Sequence, residues 1–298
     1  MQEDLRTMRI CMIGVGLMGH GIAKNIIKTD LYTLSFLKHA GNQPVDDLTA
    51  AGAVQAEKLG IICSEADVIL LCVTGADEVE TVLFSDDGVF THANSGQTVL
   101  DCSTSLPDKS RAFAKKLAEK DIRYVDAAMT RTPKEAEKGK LNLILGGDKV
   151  DIDRVMGLLR CFADTITIAG PIGAGHSLKL IHNYVSLGYA AILAEAAAAA
   201  QVEKIDTNIL LDVLEAGGGK SVVLDRFRPY LCSGDISSLR FSLANAAKDI
   251  DYFTKANQPS NVACALQTLF QETAAIQGGT KSVLELVNSL ANRATNQN

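Results

Sequence analysis

The chain has 298 residues, 47% of them hydrophobic and 21% charged, with a formal net charge of −6. That is enough apolar material for a full core in each of two domains, and an acidic balance without a basic patch excludes a nucleic-acid-binding surface. Met1 to Thr7 is polar and does not read as a signal peptide. The apolar run Ala190 to Ala200 is mostly alanine and is interrupted by Glu195, so it reads as a buried helix and not a membrane span. A cytoplasmic protein is expected.

In chain order, Met8 to Ile13 predicts a strand, Gly14-Val15-Gly16-Leu17-Met18-Gly19 a tight turn, and His20 to Lys28 a helix. Strand, glycine turn and helix in that order form the dinucleotide-binding unit of a Rossmann-type fold. Gly14 permits the turn, Gly16 lets the backbone approach a pyrophosphate, and Gly19 lets the helix pack on the strand. The phosphates then sit on the free N–H groups at the helix start, those of Leu17 and Met18 among them. Thr33 to Leu37 predicts the second strand. Where an NAD site places an Asp or Glu on the ribose 2′-hydroxyl, this chain has Lys38 and then His39. A lysine beside a histidine suits a 2′-phosphate, so NADP is expected in preference to NAD.

Further strands are predicted at Val68–Val73, Thr98–Cys102, Ile122–Asp126 and Leu141–Leu145, each a near-continuous apolar run as expected of strands covered on both faces. Alternation with helical stretches predicts a doubly wound parallel sheet with its site at the carboxyl ends of the strands. Beyond about residue 170 the strand signals stop, and His176 to Lys204 reads as one long helix followed by further helices separated by glycine-rich turns. The expected organisation is a nucleotide-binding domain over residues 1–170, an all-α substrate and oligomerisation domain over 171–298, and a long interdomain helix joining them. The seven cysteines show no C-x-x-C pair and the five histidines no H-E-x-x-H pair, so neither a disulfide framework nor a metal site is expected.

The stretch Gly173-Ala174-Gly175-His176-Ser177-Leu178-Lys179-Leu180-Ile181-His182-Asn183 puts Lys179 and Asn183 one helical turn apart on one face. A lysine near a helix N-terminus and partly desolvated should exchange a proton more readily near neutral pH. Gly217-Gly218-Gly219-Lys220-Ser221 fails as a phosphate-binding loop, because that pattern requires glycine at Leu214 and a preceding strand.

With these motifs in order, the sequence resembles the β-hydroxyacid dehydrogenases, which include 3-hydroxyisobutyrate dehydrogenase, tartronate semialdehyde reductase and relatives of 6-phosphogluconate dehydrogenase. The motifs are the glycine turn, Asp101-Cys102-Ser103-Thr104, Gly173-x-Gly175 leading to Lys179-x-x-x-Asn183, and Lys248-Asp249. The resemblance implies hydride exchange between NAD(P) and a small anionic aldehyde or its hydroxy acid. It makes Lys179 the proton donor and acceptor and gives Asn183 to the substrate. Ser103 and Thr104 fall near nicotinamide or substrate, and Val73 and Lys248 at the cofactor. Asp249 is expected to orient a helix and not to act as an acid. In the family a loop at this place borders the substrate pocket, so Lys220 is read either as a second anion contact or, in preference, as a solvated loop lysine.

One departure stands out: family members have a Ser-Gly-Gly turn after the strand ending in Asp-Ala-Pro, whereas here Asp126-Ala127-Ala128-Met129 leads into Thr130-Arg131-Thr132. This variant, with Asn183-Tyr184-x-Ser186, is similar to the sulfolactaldehyde reductases of the same family, although His182 differs from that subgroup. Two readings stay open: Thr130 and Arg131 bind the substrate's acidic group through a guanidinium fork, or Arg131 faces solvent and Ser103, Thr104 and Asn183 hold it. Two other functions use a similar architecture: an NADP-binding sensor without turnover, and an imine reductase. A homodimer or homotetramer is expected, with no nucleic-acid or membrane partner.

Overall fold

The computed structural model describes residues 8–258 and 260–296, and its contacts divide the chain into two compact units between Lys179 and Leu180. The first unit is built on an eight-stranded sheet of order β3-β2-β1-β4-β5-β6-β7-β8. Its strands are β1 (Met8–Ile13), β2 (Tyr32–Leu37), β3 (Val54–Ala56), β4 (Val68–Leu71), β5 (Thr98–Asp101), β6 (Arg123–Thr130), β7 (Leu141–Gly146) and β8 (Ala163–Gly170). Side chains of one strand alternate between faces, and both faces are covered: Ile10, Met12, Leu34, Phe36, Val68 and Leu70 lie in one apolar cluster, Cys11, Ile13, Ile69 and Leu71 in the other. This is why the strands read as unbroken apolar runs. The chain order reverses at β1, which pairs with β2 on one side and β4 on the other, and in open sheets of this kind such a reversal marks, at the carboxyl ends of the strands, the place where ligands bind.

The sheet departs from the fully parallel expectation at one pair, since β6 and β7 run antiparallel, with Asp126 opposite Gly146 and Thr130 opposite Asn142. Between Thr130 and Leu141 the chain has room only for the short helix Pro133–Glu137. A parallel return needs a crossover of about a dozen residues or more, whereas a short connection brings the chain straight back. Two strands escape the sequence reading: β3 is three residues long, and β8 is an edge strand with several exposed positions.

The second unit is helical. It contains the greater part of the helix Ala174–Val202, then Thr207–Ala216, Val222–Ser233, Leu243–Ala256, Asn261–Gln277 and Leu286–Asn296. Side-chain oxygens of Asp206, Ser221, Ser242 and Ser260 accept backbone N–H groups at the starts of four of these helices. Its core gathers Leu187, Ala194, Leu211, Phe227, Ile250 and Phe270. By length and composition the helix Ala174–Val202 passes for a membrane span, with a window of mean hydropathy 1.4. Its Leu187, Ala190, Ala194 and Ala197 are instead packed into the core of this unit.

Candidate functional site

Gly14 sits at φ +96°, and a Cβ there would lie 2.3 Å from the Cys72 carbonyl oxygen at the end of β4. A Cβ on Gly19 would lie 2.1 Å from the Gly14 carbonyl oxygen. These two glycines are therefore demanded by the protein itself. Gly16 is different: its φ is ordinary and a Cβ would meet only the Gly41 carbonyl oxygen, at 3.8 Å. The space over Gly16 is what a pyrophosphate requires. The helix Leu17–Ile27 begins at Gly16 with no side-chain cap, Leu17 is exposed, and Met18 packs against the sheet core. The turn fits a dinucleotide phosphate.

The loop after β2 is fastened to this turn. Asn42 accepts the Val15 N–H at 3.2 Å and donates to the Leu37 carbonyl at 3.0 Å, while the Gln43 N–H reaches the Val15 carbonyl at 2.8 Å. His39 accepts the Gly41 N–H on Nδ1 at 3.0 Å. Lys38 lies at the end of β2 as expected, and its ammonium is paired with Glu57 at 2.7 Å. The register that aligns Leu37 with Ala56 brings Glu57 there from the end of β3. The residues that directly follow β2 carry no carboxylate, so Glu57 is visible at this strand end only once β3 is paired. Asn42 was also missed, its only local mark being the Gly41-Asn42 pair typical of turns.

At the carboxyl end of β5, Ser103 is buried. Its N–H donates to Asp101 at 2.9 Å and its hydroxyl accepts the Val73 N–H at 3.1 Å, so the hydroxyl proton is left to donate. Asp101 also accepts the Tyr124 hydroxyl at 2.7 Å, and burial beside that carboxylate pushes the Tyr124 phenol well up. Thr104 is half-buried next to Ser103.

Asp126 anchors the start of the long helix to β6. Its carboxylate accepts the Gly173 N–H at 2.7 Å and the His176 N–H at 2.9 Å. Burial raises its pKa, while His176 and the two N–H donors oppose the rise. A Cβ on Gly175 would lie 2.6 Å from this carboxylate and from the Ile144 carbonyl oxygen, and Gly173 takes φ +88°. The Gly173-x-Gly175 pattern is thus the imprint of a buried carboxylate on a helix start. Lys179 follows one turn after His176 and is 8% exposed.

In the second unit, Asn183 is buried and donates from Nδ2 to Asp249 at 2.6 Å. His182 Nδ1 lies 3.0 Å from the side-chain Oδ1 of Asn183 and, facing an acceptor, carries the hydrogen. Lys248 contacts Asp249 at 2.8 Å and stands 5.0 Å over the Tyr252 ring. Asp249 therefore orients an amide side chain as well as belonging to a helix. Lys220 is exposed.

Thr130 is buried at the end of β6, and Arg131 follows at φ +78°, the left-handed region where the family pattern has glycine. The Arg131 guanidinium donates to the Lys140 carbonyl at 2.8 Å and lies 3.4 Å from Asp164. The next N–H, of Thr132, donates to Glu135 at 3.1 Å in a capping box. Both guanidinium contacts are made through Nη1, so one edge of the guanidinium is committed to internal acceptors.

Residues 9–170 match the family described as the NAD binding domain of 6-phosphogluconate dehydrogenase, and residues 173–289 the family described as NAD-binding of NADP-dependent 3-hydroxyisobutyrate dehydrogenase. Among curated relatives, the chain is 27% identical over 258 residues to 2-(hydroxymethyl)glutarate dehydrogenase of Eubacterium barkeri, covering 86% of this chain and 85% of that one. It is 26% identical over 275 residues to 3-sulfolactaldehyde reductase of Escherichia coli, covering 91% of each. Among solved structures, 3-hydroxyisobutyrate dehydrogenase of Salmonella typhimurium superposes with a TM-score of 0.84 at 21% identity, over 94% of this chain and 99% of that one.

Proposed function

This chain belongs to the β-hydroxyacid dehydrogenase family and is an NAD(P)-dependent oxidoreductase, and we propose that it interconverts a short acidic aldehyde and its hydroxy acid with Lys179 as general acid and base. The observation that carries the assignment is the burial of Lys179 on a helix whose start is bonded through Asp126 to the sheet bearing the glycine turn. A lysine kept from solvent at such a place has a proton to give to a bound oxygen.

The bound nicotinamide supplies or takes the hydride. In reduction the Lys179 ammonium stabilises the charge growing on the carbonyl oxygen and delivers its proton there; in oxidation the neutral amine takes the hydroxyl proton. Help of this kind is worth ~10²–10⁴-fold in rate. Ser103, with its hydroxyl proton still to donate, Thr104, Thr130 and, one turn beyond Lys179, the amide of Asn183 are assigned to the substrate. Arg131 joins them through the guanidinium N–H groups that Lys140 and Asp164 leave over. Gly14, Gly16, Leu17, Met18, Gly19, Val73, Lys38, His39 and Lys248 are assigned to the cofactor, with NADP preferred through Lys38.

The domain assignment is nucleotide binding over 1–170 and substrate binding and oligomerisation over 171–298. A homodimer or homotetramer in the cytoplasm is part of this reading. The support for the oligomer is an apolar stripe on the long helix, where Ile181, Val185, Tyr189 and Ile192 recur every three or four residues and remain exposed.

The test is steady-state oxidation of NADPH and NADH against succinic, tartronate and methylmalonate semialdehydes and sulfolactaldehyde. One aldehyde should be turned over efficiently, and Lys179→Ala should lose that turnover by ~10²–10⁴-fold while still binding NADPH. Normal turnover by the variant removes Lys179 from the mechanism. Binding of NADPH with no aldehyde consumed favours a sensor.

A further inference from the structure

His176 is fully buried, and the mechanism above gives it no part. A buried imidazole is tolerated when both ring nitrogens are bonded, and here both are. Nδ1 lies 2.7 Å from the Ser110 hydroxyl, in the helix Pro107–Ala118, and Nε2 lies 3.1 Å from the Ser103 carbonyl oxygen. A carbonyl only accepts, so Nε2 carries the hydrogen. Nδ1 faces a hydroxyl able to give or take one, since Ser110 also reaches the Leu106 carbonyl at 3.1 Å. The backbone N–H of the same residue is held by Asp126.

One side chain and its amide thus tie the first turn of the long helix to three places: β6, the helix Pro107–Ala118, and the loop after β5. At the loop end the connection lands on Ser103, whose N–H and hydroxyl are already held by Asp101 and Val73. At the helix end, Lys179 lies three residues on, adjacent on the helix surface.

We propose that His176 is a positioning residue: its Nε2–H bond to the Ser103 carbonyl holds the helix carrying Lys179 in register with the Ser103–Thr104 loop, so that the proton donor and the substrate-holding hydroxyls keep one geometry. This rests on the assignment of Lys179 as proton donor. His176 itself passes no proton to substrate.

The experiment uses the full chain and whichever aldehyde it reduces. In His176→Asn the amide nitrogen replaces Nδ1 but falls short of the Ser103 carbonyl, whereas the His176→Gln amide reaches the place of Nε2. The Asn variant should lose kcat by about 10- to 100-fold, the scale of a misplacement of about 1 Å, with the aldehyde KM and the NADPH Kd little changed; the Gln variant should recover most of the loss. Equal impairment of Asn and Gln, or a kcat per folded molecule equal to the parent, overturns the proposal. Should neither variant fold, ¹⁵N NMR of the unaltered protein decides, because hydrogen on Nε2 is required and an unprotonated Nε2 refutes it. Lys179→Ala run alongside separates the two claims. If it keeps turnover, the assignment of Lys179 falls and this inference with it; if it loses turnover while His176→Asn keeps it, this inference alone falls.

Discussion

At Arg131 a bulky residue holds a backbone conformation that favours glycine, with φ +78°. Left-handed backbone costs an L-residue about 1–2 kcal/mol, and the bonds to Lys140 and Asp164 offset part of it. Arg131→Ala should keep the strain and lose the bonds, whereas Arg131→Gly loses both. The glycine variant should therefore be the more stable of the two by about 1 kcal/mol in denaturant titration. Both should raise KM for the acidic substrate equally if the guanidinium binds it, and neither should if it does not. Lys38 poses a similar competition. Its exposed pair with Glu57 is worth little in stability, yet Glu57 competes with a 2′-phosphate for the ammonium. Glu57→Gln should shift kcat/KM toward NADPH over NADH and Lys38→Asp should shift it the other way; an unchanged ratio in both removes this pair from cofactor choice.

The element that most directly tests the nucleotide reading is the turn from β1 into the helix Leu17–Ile27. Its three glycines have separable roles. Gly14→Ala and Gly19→Ala push a Cβ to within 2.3 Å and 2.1 Å of backbone oxygens, so each should cost about 1–3 kcal/mol or more in stability. Gly16→Ala meets nothing closer than 3.8 Å and should leave Tm unchanged while raising the Kd for NADPH. A normal Kd in the Gly16 variant would mean that the phosphates do not pass over this turn. The motif was legible because a glycine turn between an apolar run and a helix pattern is a local signal. The antiparallel return of β7 was not, although the short stretch from Arg131 to Lys140 carried the clue in its length. Nor was β3, too short to show a period of two.

Across the whole molecule the thiols divide by burial. Cys232 and Cys264 are exposed, whereas Cys11, Cys63 and Cys102 are buried. Burial pushes the Cys63 and Cys72 thiols up to about 12. An alkylating reagent at pH 8 should label Cys232 and Cys264 first in the native protein, read by peptide mass spectrometry, because only the thiolate reacts. The same shifts set a stability slope. Unfolded thiols ionise near 9.0, so above that pH the unfolded chain releases protons that the folded chain retains, and stability should fall as pH rises from about 9 to about 12. A Tm that stays flat over this range would contradict that burial.

What the sequence by itself determined is whatever depends on near neighbours along the chain: the glycine turn, the apolar runs, the long helix with Lys179 and Asn183 four residues apart, and the order of motifs that marks the family. Only the tertiary structure decided which groups these residues meet. Glu57 reaches Lys38 through strand register, Asp249 reaches Asn183 from another helix, Asp126 explains Gly173 and Gly175, and His176 closes on Ser103 across 73 positions of sequence. The physical reason is range. Turn and helix preferences act over a few residues, whereas a hydrogen bond or a steric limit acts over about 3 Å of space, and folding alone brings distant positions that close.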